Sequence, residues 1–157
     1  MTKNPYAEAL GKADALTALG NTPKRIQRLT AKWTKRQWEK SYAPGKWSAR
    51  RVVVHMAQME LALTARVRFA LSQEGYVAQP IDQDAWLPSD DHADGPTALD
   101  AYAALRRFNV ALFKGLTPAQ RKRTFKHPEY GDLTPLWVAE QLAGHDLHHL
   151  KQLQQIR

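Results

Sequence analysis

Proline and glycine divide this 157-residue chain into four long stretches of helical periodicity, and no stretch alternates apolar and polar residues as a half-buried strand would. The first stretch runs from about Pro5 to Thr34, with Gly20-Asn21-Thr22-Pro23 as a kink or break. A linker, Ser41-Tyr42-Ala43-Pro44-Gly45-Lys46, separates it from a second stretch that Ser48 caps and that continues to about Ser72. An acidic, proline-bearing loop spans 74–96, long enough to serve as a crossover or a functional rim. Thr97 caps a third helix to about Lys114, and Thr117-Pro118 opens a short further turn. Phe125 to Leu133 reads as a turn-rich loop. Thr134-Pro135, a cap followed by proline at the first helical position, starts a last helix reaching about Ile156. Four helices of this length predict an all-α four-helix bundle, in one domain over residues 1–157.

Composition narrows the chemistry. With no cysteine in the chain, disulfides, thiolate metal sites and cysteine nucleophiles are excluded together, and histidine and carboxylate are left as metal ligands. No apolar stretch resembles a signal peptide or a membrane span, so a cytoplasmic protein without membrane contact is expected. The net charge is +8, but residues 72–100 hold seven acids and no Lys or Arg, which leaves +15 on the rest. The basic stretches, Lys24 to Arg51 and Arg106 to Lys126, carry no nucleic-acid motif and read as solvated surface.

The last helix concentrates the reactive groups. At about 100° per residue, Val138, Ala139, Leu153 and Ile156 fall within about 60° of Leu142 and define the buried stripe. His149 lies about 20° from that stripe's centre and His145 about 60° away on the same flank, while His148 lies about 120° off, toward water. Two imidazoles four residues apart therefore point into the bundle, the spacing by which one helix offers two ligands to one metal. On the second helix His55 shares a face with Val52, Met59, Ala62 and Phe69, which makes it a third inward histidine. Three imidazoles with open positions beside them form the pattern of a catalytic divalent site, suited to zinc or nickel, with iron and copper also accommodated. Asp146, about 40° from Leu142, either orients a ligand histidine or pairs with an arginine such as Arg66, which projects from the His55 face. His92 and His127 fall in expected loops and read as surface residues, and Glu60 lies about 140° from His55, away from the site.

With those residues identified, the chain resembles the DinB-like (YfiT-like) superfamily over nearly its whole length. The resemblance rests on Pro44-Gly45-Lys46-Trp47-Ser48, on Val54-His55 with Glu60, and on Asp84-Ala85-Trp86 in the acidic loop. It continues in His127-Pro128-Glu129-Tyr130-Gly131, and in Gly144-His145-Asp146-Leu147-His148-His149-Leu150-Lys151-Gln152-Leu153. It implies an up-down-down-up bundle with a metal ion on His55, His145 and His149. The family includes S-transferases that use low-molecular-weight thiols such as bacillithiol or glutathione, a mycothiol-dependent isomerase, and members named as metal-dependent hydrolases. A metal-dependent thiol S-transferase is the leading expectation: the metal lowers the pKa of a thiol cosubstrate, and Arg66 and the basic segments hold its carboxylates. A metal-dependent hydrolase and a non-catalytic, metal-stabilised interaction module are the alternatives. A small-molecule substrate and a homodimer through the apolar outer face of the second helix complete the expectation.

Overall fold

A computed structural model describes residues 3–156; Met1, Thr2 and Arg157, which the expected domain includes, lie outside the described residues. In chain order the helices are α1 (Ala7–Leu10), α2 (Ala15–Thr30), α3 (Lys35–Trp38), α4 (Ala49–Ser72), α5 (Gln83–Trp86), α6 (Gly95–Gly115), α7 (Pro118–Lys122) and α8 (Pro135–Leu153). A 3-10 turn, Leu87–Asp90, follows α5, and a two-stranded hairpin, β1 (Phe125–His127) and β2 (Gly131–Leu133), precedes α8. The four long helices α2, α4, α6 and α8 form the bundle.

Cross-helix contacts fix their directions. Arg50, at the start of α4, reaches Asp91 and Ala93 just ahead of α6, and Arg68, near the other end, reaches Asn109. Those two helices are therefore parallel. Leu19 of α2 meets Arg106 of α6, whereas Ile26 packs in one cluster with Ala98, Leu99 and Tyr102, so α2 and α6 are antiparallel. His55 of α4 meets His145 and His149 of α8, with Met59 and Leu63 packing toward Val138 and Leu142, and Val52 toward Leu153. Hence α8 opposes α4. The result is the up-down-down-up bundle that the resemblance implied, with a long crossover between the parallel pair α4 and α6.

Two expectations about helix boundaries change. The first stretch breaks at Gly11 (φ 57°) rather than at Pro23, and Asp14 caps α2 by accepting the Thr17 amide at 2.8 Å. Pro23 stays inside α2, buried, although its missing N–H frees the Leu19 carbonyl. That carbonyl accepts from the Arg106 guanidinium at 3.4 Å, so the bundle supplies the bond the helix lost. The cap of α6 is Asp94, not Thr97, because Gly95-Pro96 occupies the first two helical positions and Asp94 accepts from the Thr97 amide at 2.8 Å. Ser48 and Thr134 cap α4 and α8 as expected, accepting from Arg51 and Trp137.

The loop expected over 125–133 contains the hairpin, paired Phe125↔Leu133, Lys126↔Asp132 and His127↔Gly131. Residues 76–78 flank it, with Lys126 exchanging backbone bonds with Tyr76 and Ala78. The two-residue period buries Phe125 and His127 and exposes Lys126, which overturns the surface placement of His127. His92 is exposed as expected. Part of the charge asymmetry is settled within the chain, since Asp91 of the acidic loop pairs with Arg50 (3.0 Å) and Arg51 (2.5 Å) at the basic start of α4. No helix among the described residues is long and apolar enough to cross a membrane.

Candidate metal centre

The buried apolar residues fall into two clusters. One gathers around Leu19, Leu63, Val138 and Leu142, the other around Ile26, Val52, Leu150 and Leu153. Between them the middle of the bundle is polar, and two sets of side chains occupy it.

The first set is the three histidines. His55, His145 and His149 are all buried, and their ligand atoms lie within 4.8 Å of one another. His145 Nε2 is 2.8 Å from His55 Nε2 and 3.0 Å from His149 Nε2. The Gln152 side chain, one turn beyond His149, accepts from His149 Nδ1–H through Oε1 at 2.7 Å and donates from Nε2 to Tyr42 Oη at 3.1 Å. That bond places the His149 proton on Nδ1 and leaves its Nε2 lone pair aimed at the cluster. Burial lowers the His55 pKa to about 3, with His145 adding to the effect, and burial and both neighbouring rings hold His149 well below its ordinary value. Both rings are therefore neutral at pH 7 and can offer lone pairs.

Hydrogen bonding among the rings cannot satisfy them all. His145 Nε2 has two nitrogen neighbours and at most one proton to share, and the Nδ1 atoms of His55 and His145 are enclosed without partners. Nitrogens about 2.0–2.1 Å from one cation lie roughly 3 Å apart at right angles and roughly 3.4 Å apart at the tetrahedral angle, and the separations of 2.8 and 3.0 Å are close to the first. The residues present fit a divalent ion held on three Nε2 atoms.

The second set is ionic. Arg106, fully buried, pairs with Glu60 of α4 and Asp146 of α8 and lies beside the Tyr102 ring, 5.1 Å from its centroid. Asp146 Oδ2 also accepts from the Tyr102 hydroxyl at 2.6 Å, and Glu60 Oε2 from the Asn109 amide at 2.9 Å. Burial works to raise the Asp146 pKa, but the Arg106 charge overrides it and the carboxyl is held below its ordinary value. Of the two roles open to Asp146, pairing with an arginine is the one realised, but the arginine is Arg106 rather than Arg66. Asp146 Oδ1 lies 3.9 Å from His145 Nδ1, outside hydrogen-bonding distance. Glu60 is away from the histidines, as its angle on α4 indicated.

Two cavities flank the cluster. One of about 180 Å³ is lined by His55, His145, Tyr6, Arg66, His127 and Gln141 among others. The other, about 320 Å³, is lined by His149, His148, Tyr42, Lys46, Trp47 and Gln152 among others. Tyr6 and Gln83 line both. Tyr6 sits edge-on to His145, with ring centroids 5.1 Å apart, and Trp47 packs on His55 at 5.1 Å. Gly144 permits the first contact, since a Cβ there would run into the Tyr6 backbone and Cβ. His127 faces the smaller cavity as a neutral ring, its pKa lowered by burial and by the Arg66 charge, with Nδ1 accepting the Glu129 amide at 3.2 Å.

The three histidines that helical geometry turned inward come together, and Arg66 lines a cavity beside them, whereas Gln152, His127 and Arg106 were not among the expected residues. Arg106 was legible: Leu99, Tyr102, Arg106, Asn109 and Phe113 repeat at alternating spacings of three and four, the buried stripe of α6.

Known proteins place these features in a family. Among the relatives is one from Oceanobacillus iheyensis named "Putative metal-dependent hydrolase OB0782", 27% identical over 136 residues, covering 86% of this chain and 79% of that one. Another, from Bacillus subtilis and named "Putative metal-dependent hydrolase YfiT", is 28% identical over 144 residues, covering 90% and 81%. The solved structure of Bacillus subtilis YfiT, described as "a probable metal-dependent hydrolase with an unusual four-helix bundle topology", shares the fold with a TM-score of 0.82. Its identity is 24%, and the match covers 99% of this chain and 87% of that one. The four-helix bundle protein TT2238 superposes with a TM-score of 0.54 at 27% identity, covering 89% and 95%. The DinB superfamily pattern spans residues 18–153, from α2 through the histidine helix α8, and the chain belongs to the DinB superfamily.

Proposed function

We propose that this protein is a metal-dependent enzyme acting on a small molecule, with His55, His145 and His149 holding one divalent ion, zinc or nickel. The observation that carries the reading is the convergence of three buried imidazoles whose Nε2 atoms cannot be satisfied by one another. A divalent ion held there supplies Lewis-acid polarisation of a substrate oxygen and lowers the pKa of a small nucleophile beside it. The chain supplies the rest. Gln152 fixes the His149 ring, the Asp146–Arg106–Glu60 network anchors α8 against α4 and α6, and Tyr6 and Trp47 wall the histidines. His127, neutral and within the smaller cavity, can hold or deliver a proton there.

Hydrolysis is the first reading, supported by the names of the relatives. Thiol S-transfer is the second, favoured by the presence of two cavities beside the cluster, one for each of two substrates. Action in the cytoplasm, and a homodimer formed through the outer faces of α4 and α6 where Leu61 and Phe108 are exposed, belong to the same proposal.

Elemental analysis of protein purified without chelators tests the core of it. One equivalent of metal is expected in the native chain and loss of most of it in His149→Ala. Ester turnover, or conjugation of a model electrophile with low-molecular-weight thiols, should follow metal content. Native protein that takes up no divalent ion when supplemented, or activity that survives stripping, refutes the proposal. The two assays decide between the two reactions.

A further inference from the structure

Arg66 stands out against the usual rule that buried charges are paired. It is 7% exposed, in the last third of α4, and the partner it has is the Gln79 carbonyl, to which Nη2 donates. Among the described residues no carboxylate lies within ion-pair distance of it, whereas the more deeply buried Arg106 has two. Burial already lowers its pKa, against weaker support from Tyr76, Glu129 and Tyr130. Its remaining nitrogens are not sealed off, and the side chain lines the 180 Å³ cavity together with His55 and His145. Gln141 lines that cavity too, and its Oε1 is enclosed with no donor. One cavity is therefore lined by a cation with no carboxylate in ion-pair contact and by a glutamine whose carbonyl oxygen has no donor.

Arg66 also borders a second space. Arg66 and Ile81 line a second, open groove of about 570 Å³, walled by Phe69, Tyr76 and Trp86. Phe69, expected on the His55 face, is 46% exposed because it lies at this groove rather than in the core.

We infer that the histidine-lined cavity binds an apolar carboxylate, its carboxylate on the Arg66 guanidinium that borders both spaces, its apolar body in the open groove. A guanidinium fork matches a carboxylate in plane and supplies the pair that burial of Arg66 calls for. One cation with Glu129 on the cavity wall suits a monoanion better than a phosphate dianion. The inference deepens the enzymatic reading above by naming the substrate class of that site, and it rests on that reading only for the reaction that follows binding.

Calorimetric titration with 4-phenylbutyrate and with its neutral amide, 4-phenylbutyramide, tests it. Both are run on metal-loaded and on chelator-treated protein, so that direct binding of a carboxylate to metal is separated from binding to Arg66. The native chain should prefer the acid by about tenfold or more in both forms, and Arg66→Gln should bring the two ligands within about twofold. Arg66→Lys should restore part of the preference. A crystal of the native protein with 4-iodophenylbutyrate, located by its iodine, should place the carboxylate within hydrogen-bonding distance of Arg66 whether or not any variant folds. Equal binding of acid and amide by the native protein, an unchanged preference in Arg66→Gln, inorganic phosphate binding as tightly as the acid, or a carboxylate located elsewhere would each overturn the inference. Protein that takes up no metal yet keeps the acid preference would refute the metal reading and leave this one standing.

Discussion

Replacing Arg106 by methionine should be the most damaging single change in the bundle, and the size of the loss can be bounded. Methionine refills much of the space of the arginine stem, so the main effect is electrostatic. Two buried carboxylates, Glu60 and Asp146, lose their shared cation and keep one neutral donor each, Asn109 and Tyr102. Breaking a buried pair in this way costs about 3–5 kcal/mol. Proton uptake caps the cost, because a carboxyl with an unfolded pKa near 4 can be neutralised at pH 7 for about 4 kcal/mol, at 1.36 kcal/mol per pH unit. At pH 5 the same cap falls by about 2.7 kcal/mol. The pH dependence therefore has a definite sign. In the native chain the folded pKa of Asp146 is depressed, so its contribution is complete above the unfolded carboxylate range and is lost only as pH falls through the lower folded value. In Arg106→Met burial acts unopposed and raises it, so the folded state binds the extra proton and gains stability as pH falls from 7 to 5. Urea unfolding in the presence of a chelator, run on both proteins at both pH values, measures the difference with the histidine contributions common to each. The gap should be about 3–4 kcal/mol at pH 7 and about 2–3 kcal/mol smaller at pH 5. A gap under about 1 kcal/mol, or one that widens on acidification, would falsify the reasoning.

Two further changes probe the surroundings of the histidines. Gln152→Leu removes the acceptor that holds the His149 proton on Nδ1, and metal affinity should fall about 10–100-fold, read by competition with a chromophoric chelator, while the fold persists. Gly144→Ala drives a methyl into Tyr6, so the first residues must lift from α8; a loss of about 1–3 kcal/mol in urea unfolding is expected, with faster proteolysis ahead of α2.

The parts of this molecule that a sequence exposes are those with a local cause. Caps and prolines set the starts of α4 and α8, and helical periodicity placed His55, His145 and His149 because all three lie on stripes dictated by burial. Whatever depends on a partner far along the chain was hidden. Pro23 reads as a break until Arg106 is seen to bond the carbonyl it frees, and His127 reads as surface until residues 76–78 close over the hairpin. Asp146 looked as able to orient a histidine as to pair with an arginine such as Arg66, because one helix's angles do not say which side chains of the other helices lie nearest. The burial of α4 on most of its circumference likewise blurred its polar positions, Gln58, Glu60 and Thr64, into an apparently simple amphipathic pattern.

The two polar sets at the bundle's centre act on each other. Glu60 and Asp146 carry two negative charges against the single positive charge of Arg106, so the network adjoining the histidines has a net charge of −1. An excess anion sealed between helices is itself unfavourable, and a cation a few ångströms away is its natural compensation. Asp146 is the link, being next in sequence to His145, with Oδ1 3.9 Å from its Nδ1. The network then does more than clamp four helices: it biases the histidine centre toward positive occupants. Asp146→Asn keeps the shape and leaves Glu60 to neutralise Arg106, so it removes the excess charge without leaving a lone buried anion. Divalent affinity should drop by about 10–100-fold, and the loss should exceed any change in urea stability of the chelated protein expressed on the same logarithmic scale. Should Asp146→Asn bind metal as tightly as the native chain, the ionic network would be purely structural.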